Sequence, residues 1–192
     1  LISIIAVMIF LSVFHIDYES YNLSARYLSY LLTPATVCLA VPLYQQLSLL
    51  KKHARAILAG TVTGVLTTMA TVLVLALLFG LTHEQYVTFL PKSITTAIGM
   101  GVSEEMGGIV TITVACIIIT GIIGNIIAET VCRLFHITEP VAKGIAIGSA
   151  SHAIGTTKAM EMGEVEGAMS SLAIAVSGLC TVLFASVFAN FL

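Results

Sequence analysis

Two stretches concentrate polarity in a chain that otherwise avoids it. They are KSITTAIGMGVSEE at 92–105 and SASHAIGTTKAME at 149–161. The first carries Ser93, Thr95 and Thr96; the second carries Ser149, Ser151, Thr156 and Thr157 around His152. These residue types suit the non-covalent holding of a small anion. Hydroxyls donate to carboxylate oxygens. Helices that end inside a membrane add unpaired N–H groups and the positive end of their dipole. A single Ser or Thr more often bonds its own backbone or lets helices approach closely. The two clusters taken together point to a substrate-binding site. His152 follows Ser149 by three and precedes Thr156 by four, so the three share a face if the segment is helical. It would donate to a carboxylate, carry a proton, or be a hydrogen-bonded structural residue.

Charged residues flank both stretches. Lys92 and Lys158 are candidate coupling groups or charge partners, as is Glu104; Glu105, Glu161, Glu164 and Glu166 also stand nearby. A charge at the bilayer centre costs ~2.5–3.5 kcal/mol on insertion scales, so each lysine is expected near an interface or paired. Enzyme signatures are poor. Gly101-Val102-Ser103-Glu104-Glu105 lacks the closing glycine of a nucleophile elbow. Gly99 and Gly101 lack the third glycine of a dinucleotide fingerprint. No His, Cys, Asp and Glu set has metal-ligand spacing, and Cys38, Cys116, Cys132 and Cys180 stand alone. No catalysis, cofactor or metal is expected.

The elements that must position these residues follow from composition. The 192 residues are 58% hydrophobic and 9% charged, with a mean hydropathy of +1.05. A soluble domain is nearer a quarter charged. The chain is therefore expected to be an all-α, polytopic membrane protein, a single transmembrane domain over 1–192 with lipid as its main surroundings. The formal net charge of −2 argues against nucleic acid. Charges punctuate five expected spans, at about 1–16, 27–48, 56–81, 106–129 and 167–192. The first is short, so its start is expected upstream of Leu1. The features of a cleaved signal peptide are missing.

Lys51, Lys52 and Arg55 place the loop between the second and third spans inside, and Arg133 and Lys143 do the same for the loop after the fourth. The acidic loop at 17–25 and the loop near 82–91 fall outside. The side count closes only if about 92–105 enters and returns from outside, and about 143–166 from inside. Both are expected to be re-entrant or broken helices, with irregular backbone tolerated where protein or water satisfies it. They also resemble one another: Thr95-Thr96 aligns with Thr156-Thr157, and Glu104 and Gly107 with Glu164 and Gly167. One re-entrant segment plus one span reverses the side, so successive units are inverted repeats, an arrangement found in secondary transporters. Thr33-Pro34-Ala35-Thr36 adds a third polar break, and Pro42 a second kink in the same span.

The motifs LPKSITTAIGMGVSEEMGGI, GSASHAIGTTKAMEMGEVEGAMSSLAIAVSGL and TPATVCLAVPLYQQL closely resemble the LrgB/CidB family of bacterial membrane proteins. The likeness extends over nearly the whole chain. Family members often have proline after the two threonines, where this chain has Ala97; Gly99 is the expected source of flexibility instead. The resemblance implies one of two functions. One is holin- or antiholin-like control of murein hydrolase export and lysis, with a small LrgA/CidA-type membrane partner. The other is transport of small carboxylates, pyruvate in bacteria and glycolate or glycerate in plastid relatives. A pore-forming holin has no need of two inverted polar segments. The expectation is therefore a small-monocarboxylate transporter working by alternating access, with the holin-like role second. It is expected as a homo-oligomer, a dimer, in a bacterial cytoplasmic membrane.

Overall fold

A computed structural model describes residues 2–29, 44 and 47–192. The described residues are almost entirely helical, and three helices are long and apolar enough to cross a membrane. The chain divides into two compact units, Leu1–Val41 and Pro42–Leu192. In the first, α1 (Ile2–Val13) is followed by α2 (Tyr18–Ser29). Residues 18–25, read from charge as loop, are helical. Asp17 accepts a hydrogen bond from the Glu19 amide at 3.0 Å, and Glu19 and Arg26 complement the helix dipole at its two ends. The expected break at 33–36, Pro42 and most of the span at 27–48 lie outside the described residues.

The second unit contains α3 (Leu47–Phe79), α4 (His83–Phe89), α5 (Thr96–Glu105), α6 (Val110–Leu134), α7 (Pro140–Met162) and α8 (Glu164–Phe188). A single 3-10 turn, Ala189–Phe191, follows. Stretches of α3, α6 and α8 are the three membrane-crossing candidates among the described residues. Side-chain ties give their directions. Tyr86 in α4 donates from its hydroxyl to the Phe188 carbonyl at 2.9 Å, which puts the end of α8 beside the start of α4. At the other end, Lys143 faces Glu166 at 4.0 Å, and Ile57 of α3 packs with Val141 and Ala168. Helices α3 and α8 therefore run from the Lys143 end to the Phe188 end, and α6 runs back.

Between these long helices lie two hairpins. The first is formed by α4, the turn at 90–95, and α5. Val87 and Leu90 pack with Val65, Met69 and Val72 of α3. Ser93 and Ile94 then line a small void with Val65 and Thr181. From there α5 runs back toward the Phe188 end: a Cβ on Gly178 would sit 3.0 Å from Ile98, Val102 packs in one cluster with Ala185, and Ser103 meets Thr113 at 2.7 Å. The expected re-entrant segment at 92–105 covers only the tip and the second arm, because α4 supplies the first.

The second hairpin is α7 itself, broken at His152, where φ is 43° and ψ −144°. Pro140 opens it at a position whose missing N–H has no helical partner to lose. Its first arm rises along α8. A Cβ on Gly144 would meet the Glu166 carbonyl at 2.5 Å, and one on Gly148 would meet Ser170 Cα at 2.8 Å and Ala173 Cβ at 2.9 Å. Its second arm descends the same helix: Thr156 lies 2.7 Å from Ser170, and a Cβ on Gly167 would lie 2.8 Å from Met160. The segment thus returns to the Lys143 end. Each hairpin is followed by a long helix, α6 or α8, of opposite direction, which is the inverted-repeat arrangement.

Six of the chain's eight Lys and Arg residues, Lys51, Lys52, Arg55, Arg133, Lys143 and Lys158, lie at the Lys143 end. The Phe188 end of this unit carries exposed Glu84, Glu104 and Glu105.

Candidate functional site

Hydroxyl bonds hold the returning arm of each hairpin. In the first, Thr113 donates to the Thr88 carbonyl at 2.9 Å, so Ser103 is the donor in its 2.7 Å bond to Thr113. The Thr88 hydroxyl in turn accepts from the Ile109 amide at 2.8 Å, which caps the start of α6. In the second, Thr156 donates to the His152 carbonyl at 2.9 Å and accepts from Ser170. Asn125 of α6 donates to the Ile154 carbonyl at 2.8 Å and to Thr157 at 2.9 Å. Carbonyls freed around the break thus find partners, as membrane depth requires.

The tips of both hairpins meet α6 at Ile117. His152 Nε2 lies 2.9 Å from the Ile117 carbonyl; a carbonyl only accepts, so this nitrogen carries the proton. From the other side, a Cβ on Gly99 would collide with the Ile117 side chain. Gly99 is therefore a point of close approach inside α5, its amide bonded to the Thr95 carbonyl at 2.9 Å, rather than a source of flexibility. Gly121 and Gly124 do the same for the second tip. A Cβ on Gly121 would lie 2.6 Å from the His152 ring, and one on Gly124 would collide with Ser151.

A cavity of about 340 Å³ runs along α6 from this meeting point toward the Lys143 end. Lys92, Thr120 and Ser151 line its deep part, and Cys132 and Ile137 its far part. A second cavity of about 650 Å³ lies between α3 and the first arm of α7, lined by Thr63, Thr67 and Ser149 among others. Ala146 and Ala150 line both, so this arm is a partition between them. Ser93 and Ser149 also share the small void with Thr68 and Thr181.

The sequence candidates therefore divide. Lys92, Ser93, Ser149 and Ser151 are brought to the tips. Lys92 was expected near an interface or paired. It lines one cavity with mid-helix Thr120, donates to Ser93 at 3.0 Å, and makes no ion pair among the described residues. Thr95 and Thr96 open α5, half-buried, and Thr95 caps it without a side-chain hydrogen bond. His152 and Thr156 are buried but committed to Ile117, Ser170 and the local backbone. Thr157 is exposed and bonded to Ile154 and Asn125. Glu104 is exposed at the far end of α5. Lys158 pairs with Glu161 at 3.2 Å and Glu129 at 3.6 Å. Thr120 and Asn125 were not anticipated. Their signal was present as TGIIGN at 120–125, small and polar residues in the middle of an apolar span.

The LrgB-like family model matches residues 1–191. Proteins named antiholin-like protein LrgB from Bacillus mycoides (strain KBAB4), Bacillus cereus (strain B4264) and Bacillus anthracis (strain CDC 684 / NRRL 3495) are each 37% identical to this chain over 185 residues. The match covers 96% of this chain and 80% of each relative. No solved structure matches the chain.

Proposed function

The chain belongs to the LrgB-like family of membrane proteins, and from that premise we propose that it carries a small monocarboxylate, of the pyruvate or glycolate kind, across a bacterial cytoplasmic membrane. One observation carries this reading: two hairpins from opposite ends of the unit meet at Ile117, beside a cavity that runs toward one end only. Opposed broken helices meeting at mid-depth are the arrangement of alternating-access carriers. The basic Lys143 end is the cytoplasmic one, because Lys and Arg accumulate on that side. Toward the Phe188 end, Val72, Ala76, Tyr86, Leu90 and Ala185 form a closed core.

Proteoliposomes loaded with buffer and offered labelled pyruvate, lactate or glycolate test the reading. Saturable uptake is expected. Ala150→Phe, which places a ring in the partition between the cavities, should reduce it at least tenfold. Absence of saturable uptake overturns the reading.

The relatives' name, antiholin-like, favours a second reading: modulation of murein hydrolase export and lysis with an LrgA/CidA-type partner. The two separate by what leaks. A lesion-forming assembly releases large solutes from liposomes, alone or with the partner; a carrier releases none while still exchanging carboxylates.

A further inference from the structure

Lys92 sits where a fixed charge is costly. Its cavity neighbour Thr120 lies well inside α6, roughly 15 Å from the Val110 end and roughly 21 Å from the Leu134 end at the helical rise. Lys92 is half-buried; an ionisable side chain within a membrane protein normally pairs with an opposite charge or with backbone carbonyls, and the chain's ten acidic residues can be accounted for. Glu84, Glu104 and Glu105 are exposed toward the Phe188 end. Glu129 and Glu161 pair with Lys158, and Glu166 with Lys143. Glu139 and Glu164 flank α7 at the Lys143 end. Asp17 and Glu19 belong to the first unit, where Asp17 is bonded to the Glu19 amide. Residues 30–46 contain no Asp or Glu.

Hydroxyls able to donate to an anion line the same cavity as this ammonium. Lys92 has three N–H donors and uses one on Ser93. The hydroxyls of Thr120 and Ser151, in the same cavity, bond no protein group among the described residues. We propose that Lys92, with Thr120 and Ser151, is the binding site for the cargo anion, and that it takes a single carboxylate, so that monoanions are bound and dianions refused. One positive charge neutralises one carboxylate. A second carboxylate would stand at the same depth with no cation of this unit to meet it, since every other Lys and Arg of the unit lies at the Lys143 end. Naming the anion as cargo rests on the transport reading; the binding itself does not.

The test uses the full chain in nanodiscs, with calorimetric binding of pyruvate as a monoanion and succinate as a dianion, beside uptake in proteoliposomes. Pyruvate should bind at least tenfold more tightly than succinate. Lys92→Gln should lose pyruvate binding at least tenfold, and Lys92→Arg should retain most of it. Ser151→Ala, which breaks no protein hydrogen bond, should weaken binding a few-fold with unfolding unchanged. Binding without uptake would uphold the site and sink the transport reading. Pyruvate binding or uptake that survives Lys92→Gln, failure of the wild-type chain to bind pyruvate, or equal affinity for succinate would overturn the proposal.

Discussion

His152 Nε2 sits 2.9 Å from the carbonyl oxygen of Ile117, thirty-five residues away, at the one point where α7 leaves helical geometry. Positive φ with ψ near −144° is glycine territory, costing about 1–3 kcal/mol for another residue. The ring bond and the Thr156 hydroxyl on the His152 carbonyl hold it there. His152→Ala should therefore lower stability by about 1–2 kcal/mol. His152→Gly, which loses the same bond but relieves the backbone, should lose less. Thermal unfolding in detergent compares them; equal losses would show that the backbone is unstrained.

Thr113 is the corresponding tie for the first hairpin. Thr113→Val keeps the shape but strands the Ser103 hydroxyl and removes a donor from the Thr88 carbonyl. A loss of about 1–3 kcal/mol is expected, read by the same melt. Thr71→Val, whose hydroxyl bonds only its own helix at Thr67 on an exposed face, should change little.

Glycines divide by what surrounds them. Gly148→Ala would push a methyl into the Ser170 backbone and should cost about 1–3 kcal/mol. Gly101→Ala meets nothing within 4 Å, and its helix should gain about 0.5–1 kcal/mol. Denaturation midpoints of the two variants should move in opposite directions.

Sidedness is open to direct labelling. On a cysteine-free background, His136→Cys should react with a membrane-impermeant maleimide from the cytoplasmic face only, and Glu84→Cys from the outer face only. Both positions are exposed, at the Lys143 end and the Phe188 end respectively. Reversed labelling would invert the orientation.

Much of this was readable from charge and hydropathy. The side count forces two returning segments because Arg133 and Lys143 must share a side with Lys51 and Lys52. The structure has a hairpin of α4 and α5 over 83–105 and a helix broken at His152 over 140–162. Side-chain partners were less legible. Hydropathy marks Thr156 and Ser151 alike as polar, yet they lie on different faces of the second hairpin, one on Ser170 and one in the cavity. The first arm of the first hairpin was hidden because HEQYVTF is short and mildly polar, and reads as loop.

The first arm of α7 presents Gly144 and Gly148 to α8, and the two positions that line both cavities are alanines, Ala146 and Ala150. Neither residue type has side-chain rotamers to freeze or release. A displacement of this partition that shrank one cavity and enlarged the other would change the volume on each side while leaving the side-chain entropy of these shared positions unaltered. An arm faced with leucine or methionine would have to order and disorder those chains at every such excursion. The plainness of Ala146 and Ala150 is thus a thermodynamic property: at the positions shared by both cavities it removes a temperature-dependent cost from whatever equilibrium the arm takes part in.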